Sequence, residues 1–193
     1  MIGRPKIFDE KIALASANEL FWKKGYEATS TEELIKVMKL QRGSFYHSFK
    51  SKKELFIKAV NTHEQKVLQS FREELSRSET PMQVIREMFL SIADCTPERQ
   101  AKGCILGNTI AELAGIDEEL AENAKKHLKT LEEIFFIQIK KSQETKELKT
   151  TENPALLAKY LLNLWNGLNI TRRIYTKKEE LLPLILLQIE IIK

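Results

Sequence analysis

The chain has 193 residues, 42% hydrophobic and 30% charged, with a formal net charge of +4. That composition belongs to an ordinary globular protein with a real core, not to a disordered or fibrous chain. No apolar run reaches the roughly 18 residues of a membrane span, and the N-terminal MIGRPKIFDEK lacks the apolar stretch of a secretory signal.

Two cysteines, Cys95 and Cys104, make no disulfide framework. No cysteine or histidine cluster has metal-ligand spacing, so neither metal nor cofactor is expected. A reducing cytoplasm is the expected location, with no membrane partner. The charge is unevenly placed. Residues 1–60 hold 12 Lys and Arg against 7 Asp and Glu, or +5, which leaves −1 for the remainder. A basic recognition surface joined to a nearly neutral body follows.

Glycine and proline are scarce and helical periodicity recurs, so an all-α fold is predicted. Phe8, Ile12, Ala13, Ala17, Leu20 and Phe21 form one face of a helix over about 8–24, stopped by Gly25. Ser30 with Glu33 makes a capping box for a short helix through Met38. A turn at Lys39-Leu40 then leads to a second short helix that begins at Gln41. Ser51 with Glu54 opens a helix to about Arg77. Helices are also predicted from Pro81, from the Thr96-Pro97 cap and first turn, and after Gly103 to Ala114. Asp117 caps a long helix, and the polar stretch KKSQETKELKTTEN reads as a linker. Two apolar helices close the chain, the first over roughly 153–173 and the second capped by Thr176 with Glu179; Pro183 kinks the second or marks a late start.

The two short helices between Ser30 and Phe49, with a third ahead of them, have helix-turn-helix spacing. That places residues 41–47 at the end that enters a major groove. Phe45 and Phe49 face inward, while Arg42, Ser44, Tyr46 and His47 face outward.

The first 60 residues, through GRPKIFDEKIALASANELFWKKGYEATSTEELIKVMKLQRGSFYHSFKSKKELFIKAV, resemble the DNA-binding domain of the TetR/AcrR-type (tetracycline-repressor-like) regulators. The resemblance rests on Gly3-Arg4-Pro5, Leu20-Phe21, Gly25-Tyr26, Thr29-Ser30, Gly43-Ser44-Phe45-Tyr46, Phe49 and Ser51-Lys52-Lys53-Glu54-Leu55-Phe56. Further on, Lys102-Gly103-Cys104 with Asn108 and Glu112 is similar to a motif of one branch of that family. The resemblance implies that Tyr46 and Lys52 hold phosphates, helped by Thr29 and Ser30. It places Gln41, Arg42, Ser44 and His47 over base edges, with Gly43 allowing close approach and Arg4 adding a phosphate or minor-groove contact. The chemistry agrees, since arginine pairs bidentately with guanine and glutamine with adenine, whereas phenol and ammonium groups position without reading sequence.

The expected domains are 1–50, a helix-turn-helix DNA-binding domain, and 51–193, a helical ligand-binding and dimerisation domain. The resemblance implies a ligand-responsive repressor that binds a pseudo-palindromic double-stranded operator as a homodimer and is released by a small-molecule effector. Phe89, Cys104, Asn108, Leu131, Phe135 and Trp165 are the candidate effector residues. Asn108 either orients a ligand or satisfies a buried carbonyl. Cys104 is either an inert core thiol or a redox or electrophile sensor, with no activating partner in view. Leu157, Leu161, Leu164, Leu168, Leu184, Leu187 and Ile191 are expected at the dimer interface, and docking of these helices on the chain's own core is the competing reading. His63 and His127 read as surface residues. No catalytic motif is present, so no enzyme is expected. A helical protein-interaction module without DNA binding is the alternative.

Overall fold

A computed structural model describes residues 8–193, and every regular element among them is helical. In chain order these are α1 (Glu10–Lys24), α2 (Thr31–Val37), α3 (Arg42–Phe49), α4 (Lys52–Arg77), α5 (Pro81–Leu90), α6 (Pro97–Lys102), α7 (Ile105–Leu113), α8 (Glu118–Glu144), α9 (Pro154–Thr171) and α10 (Lys178–Gln188), followed by a 3-10 turn at Ile189–Ile192. Among the described residues, no helix is long and apolar enough to cross a membrane.

The chain divides into two compact units, one built from residues 1–67 and 109–123, the other from 68–108 and 124–193. The first therefore reaches beyond residue 50, and its packing shows why. Leu55, Phe56, Ala59 and Val60 of α4 are buried. Phe56 meets Phe21 edge-on at 4.9 Å and Tyr26 at 5.1 Å. Burial of that aromatic group is the main attraction holding α1, the following turn and α4 together.

α1 begins at Asp9, whose carboxylate accepts from the Lys11 and Ile12 N–H groups at 2.8 and 3.3 Å. It buries Ala13, Leu14, Ala17, Asn18 and Phe21. Ile12, expected on that face, is instead 66% exposed. The actual stripe is rotated by one residue, because Leu14 fills the core position. His63 is half-buried with its ring 5.7 Å from that of Trp22, and His127 is half-buried, with its pKa lowered by burial. Neither is the plain surface histidine expected.

In the second unit the core includes Ile85 and Phe89 of α5, Leu131, Phe135 and Ile139 of α8, Leu157, Leu161 and Leu168 of α9, and Leu181 and Ile185 of α10. Polar ties fix its C-terminal end. The Arg86 guanidinium donates to the Ile189 carbonyl at 2.9 Å, and the Tyr160 hydroxyl to that of Gln188 at 2.7 Å. The expected linker is partly structured: α8 runs to Glu144, Leu148 is buried, and Glu147 accepts from Ser142 Oγ at 2.6 Å and the Met82 N–H at 3.0 Å. The expected cap at Thr176 is absent; Lys177 occupies the cap position of α10 and makes no side-chain capping bond.

Candidate nucleic-acid interface

The reader is built from local rules. Ser30 has extended backbone and its Oγ accepts from the Glu33 N–H at 3.2 Å, while the Glu33 carboxylate accepts from the Ser30 N–H at 3.1 Å. This closes the capping box that starts α2. A hydrogen bond from Lys24, at 2.6 Å, and then the Ser30 backbone and hydroxyl hold the Glu33 carboxyl down to about 2. α2 ends in a Schellman turn. The Leu40 N–H reaches back to the Ile35 carbonyl at 3.0 Å and the Lys39 N–H to that of Lys36 at 3.2 Å, with Lys39 at φ 54.

α3 leaves that turn with Phe45 and Phe49 buried, their ring centroids 6.0 Å apart. Anchoring those two residues turns Arg42, Gly43, Ser44, Tyr46 and His47, together with Gln41 ahead of the helix, to the outside. Tyr46 rests edge-on against Phe45 at 5.2 Å and remains 43% exposed. The Arg42 guanidinium lies 5.9 Å from the Tyr46 ring and 3.8 Å from the Glu32 carboxylate, a loose surface pair that leaves it available. A Cβ on Gly43 would meet nothing within 4 Å, so the chain's own packing does not call for glycine there. Gln41 makes no side-chain cap bond to α3.

Other expected contacts are used differently. Arg4 lies outside the described residues. Thr29 is buried, and its hydroxyl donates to the Gly25 carbonyl at 2.6 Å, so its side chain is not a surface donor. The Lys52 ammonium donates to the Tyr26 and Thr29 carbonyls at 3.0 and 3.1 Å and sits 4.2 Å from the Tyr26 ring centroid. Two of its three N–H directions are therefore spent on the turn between α1 and α2, which leaves one for the phosphate contact expected of it. Ser30 stays exposed although it caps α2.

Residues 13–59 match the family model for bacterial regulatory proteins, tetR family, and residues 81–182 match the tetracyclin repressor-like C-terminal domain. The chain belongs to the tetR family. It is 31% identical over 163 residues to the uncharacterized HTH-type transcriptional regulator YezE of Bacillus subtilis, over 83% of this chain and 84% of that one. To the HTH-type transcriptional repressor ComR of Escherichia coli it is 26% identical over 184 residues, 94% of this chain and 88% of the relative. In fold it matches the tetR-family regulator CifR, solved as a cysteine mutant with 26-bp operator DNA, at a TM-score of 0.85 and 21% identity over 99% and 100% of the two chains. This tetR-family chain is a DNA-binding transcriptional regulator.

In the second unit of this tetR-family protein the expected effector residues separate into two groups. Phe89, Leu131 and Phe135 are buried core, with the Phe89 and Phe135 rings stacked at 6.1 Å and Trp165 edge-on to Phe89 at 6.3 Å. Cys104, Asn108 and Trp165 are half-buried. The Asn108 side chain is committed at both ends: its amide donates to the Lys102 carbonyl at 2.8 Å and its oxygen accepts from Arg173 at 2.8 Å. Of its two expected roles, it fills that of carbonyl partner.

Arg172 escaped the sequence reading. It is buried, donates to the Gly103 carbonyl at 2.6 Å and approaches Cys95 Sγ at 3.8 Å. Burial lowers its pKa, Cys95 and Cys104 oppose that shift, and Arg99 adds to it. A cation thus stands beside the Cys95 thiol and acts electrostatically on Cys104, brought there from more than sixty residues along the chain, where spacing gives no signal. Glu112 was missed as a contact for the same reason; its carboxylate binds the turn after α1.

Proposed function

We propose that the chain is a ligand-responsive repressor that reads a pseudo-palindromic operator as a homodimer and leaves it when a small molecule binds the second unit. One observation carries the reading: burial of Phe45 and Phe49 presents Gln41, Arg42, Ser44, Tyr46 and His47 together on one exposed surface. The Arg42 donors match the guanine O6 and N7 acceptors, and the Gln41 amide, donating and accepting at once, matches adenine N7 and N6–H in the major groove. Tyr46 and Ser30 supply neutral phosphate contacts, and Gly43 lets backbone approach closely. The relatives' names as HTH-type regulators and repressors support both regulation and its negative sign.

The dimer face in this reading is the exposed side of α9 and α10. It offers the exposed apolar side chains Leu156, Ile170, Leu186 and Leu187, with Ile191 of the following 3-10 turn. Of the residues expected there, Leu187 and Ile191 are exposed and Leu184 half-buried. Leu157, Leu161, Leu164 and Leu168 are core residues of their own chain, so the competing reading of own-core docking holds for them.

Selection of bound sequences from a random duplex library, followed by titration of the winner at several salt concentrations, tests the proposal. A palindromic winner is expected. Arg42→Ala relaxes selectivity at one base position, by about 1–3 kcal/mol, whereas Tyr46→Phe weakens binding uniformly across sequences. Absence of any enriched sequence, with weak binding even at low salt, sinks the reading and leaves the interaction module.

A further inference from the structure

We propose that Glu112 is a positioning residue for DNA reading, the anion around which the turn between α1 and α2 is folded. The inference rests on the assignment of the first unit as the DNA reader. Gly25 stops α1 at φ 87, and its N–H returns to the Phe21 carbonyl at 2.8 Å. The next two N–H groups have no helical acceptor and need one elsewhere. Both find Glu112: Tyr26 N–H lies 3.0 Å from Oε2, and Glu27 N–H lies 2.8 Å from Oε1. Successive backbone N–H groups converging on one carboxylate make a small anion site, occupied here by a side chain 86 and 85 residues away.

The opposite polarity of the same turn is also held. The Tyr26 and Thr29 carbonyls point to the Lys52 ammonium, and the Gly25 carbonyl accepts from the Thr29 hydroxyl. An anion gathers the N–H groups and a cation gathers the carbonyls. Gly25 fits this arrangement twice over. Its φ is left-handed, and a Cβ there would lie 2.9, 3.0 and 3.2 Å from the Glu112 carboxyl atoms. The turn then runs straight into Ser30, which caps α2, and α2 leads to α3. Glu112 therefore sets the point from which the reading helices depart, without facing the DNA itself.

The sign of the effect separates this role from bare electrostatics. Removing a carboxylate makes the chain more cationic, which by charge alone tightens binding to a polyanion. Loss of a positioning anion weakens it. Glu112→Gln keeps volume and one acceptor but sets an NH₂ group against the second backbone N–H. The measurement is affinity for the duplex selected with the wild type, together with hydrogen exchange at the Tyr26 and Glu27 amides. Glu112→Gln is expected to bind about tenfold or more weakly, with the same preferred sequence and salt slope and with faster exchange at both amides. Glu112→Ala should match or exceed that loss; if it fails to fold, the isosteric variant still decides. Wild-type or tighter binding by Glu112→Gln, or weaker binding with both amides unchanged, overturns the positioning role alone. If the wild type itself enriches no duplex, the DNA-reading assignment falls first and takes this role with it.

Discussion

Glu64 lies on α4 within the first unit, 9% exposed, and burial raises its carboxyl from 4.5 to about 7. The folded chain therefore keeps this proton between about pH 4.5 and 7, where the unfolded chain has lost it. A raised carboxyl makes stability fall as pH rises through that window and level off above it. At roughly 1.4 kcal/mol per pKa unit the loss amounts to roughly 3–4 kcal/mol. Glu64→Gln should leave urea unfolding at pH 4 nearly unchanged and raise the midpoint at pH 8. An equal shift at both pH values would mean that Glu64 is ionised differently from this. Two residues that the sequence singles out are drawn into local partnerships. Thr29 and Lys52 carry the polar chemistry expected of phosphate ligands, yet the neighbouring turn takes the Thr29 hydroxyl donor and two of the three Lys52 donors. Residue type is legible in a sequence, but the partner that consumes it is not.

The turn between α2 and α3 carries a cost that its sequence shows openly. Lys39 occupies the left-handed position of a Schellman turn at φ 54, where glycine is usual. A side chain there costs about 1–2 kcal/mol, so Lys39→Gly should stabilise the chain by about 1 kcal/mol in chemical denaturation. No gain would mean that the entropy glycine brings to the unfolded state cancels the relief. Helix starts were similarly plain. The capping box at Ser30, the Ser51 Oγ that accepts from the Glu54 N–H at 3.1 Å, the Thr96 and Asp117 caps, and prolines at the first turns of α5 and α6 all lie where the sequence predicts them. These signals succeed because donor and acceptor are three residues apart. α10 departs from its prediction: Pro183 sits inside it, and Lys177, which makes no side-chain capping bond, takes the cap position expected of Thr176. Burial of Leu181 and Ile185 holds that helix instead.

Across the whole molecule, the closing helices carry apolar residues of two kinds, some buried in their own chain and some exposed. Leu161→Ala removes a fully buried side chain and should cost about 2–5 kcal/mol in stability. Leu187→Glu alters a side chain 75% exposed in the single chain. It should leave the unfolding of the isolated chain nearly unchanged and, on the proposed dimer face, shift the population from dimer to monomer in sedimentation. A variant that stays dimeric would place the self-association face elsewhere. Helical class, helix starts and the Phe45–Phe49 pair that aims the reader rest on contacts within one or two turns, so the order of residues alone determined them. The direction of the α9 face, the placement of Arg172 beside the Cys95 thiol and the capture of the Tyr26 and Glu27 amides by Glu112 join residues far apart in the chain. An amphipathic stripe says that a face must be covered, and a charged group says that it needs a counterpart. Only the packed chain selects which distant surface or group supplies it, because burial and electrostatic pairing depend on separation in space and carry no mark of separation along the sequence.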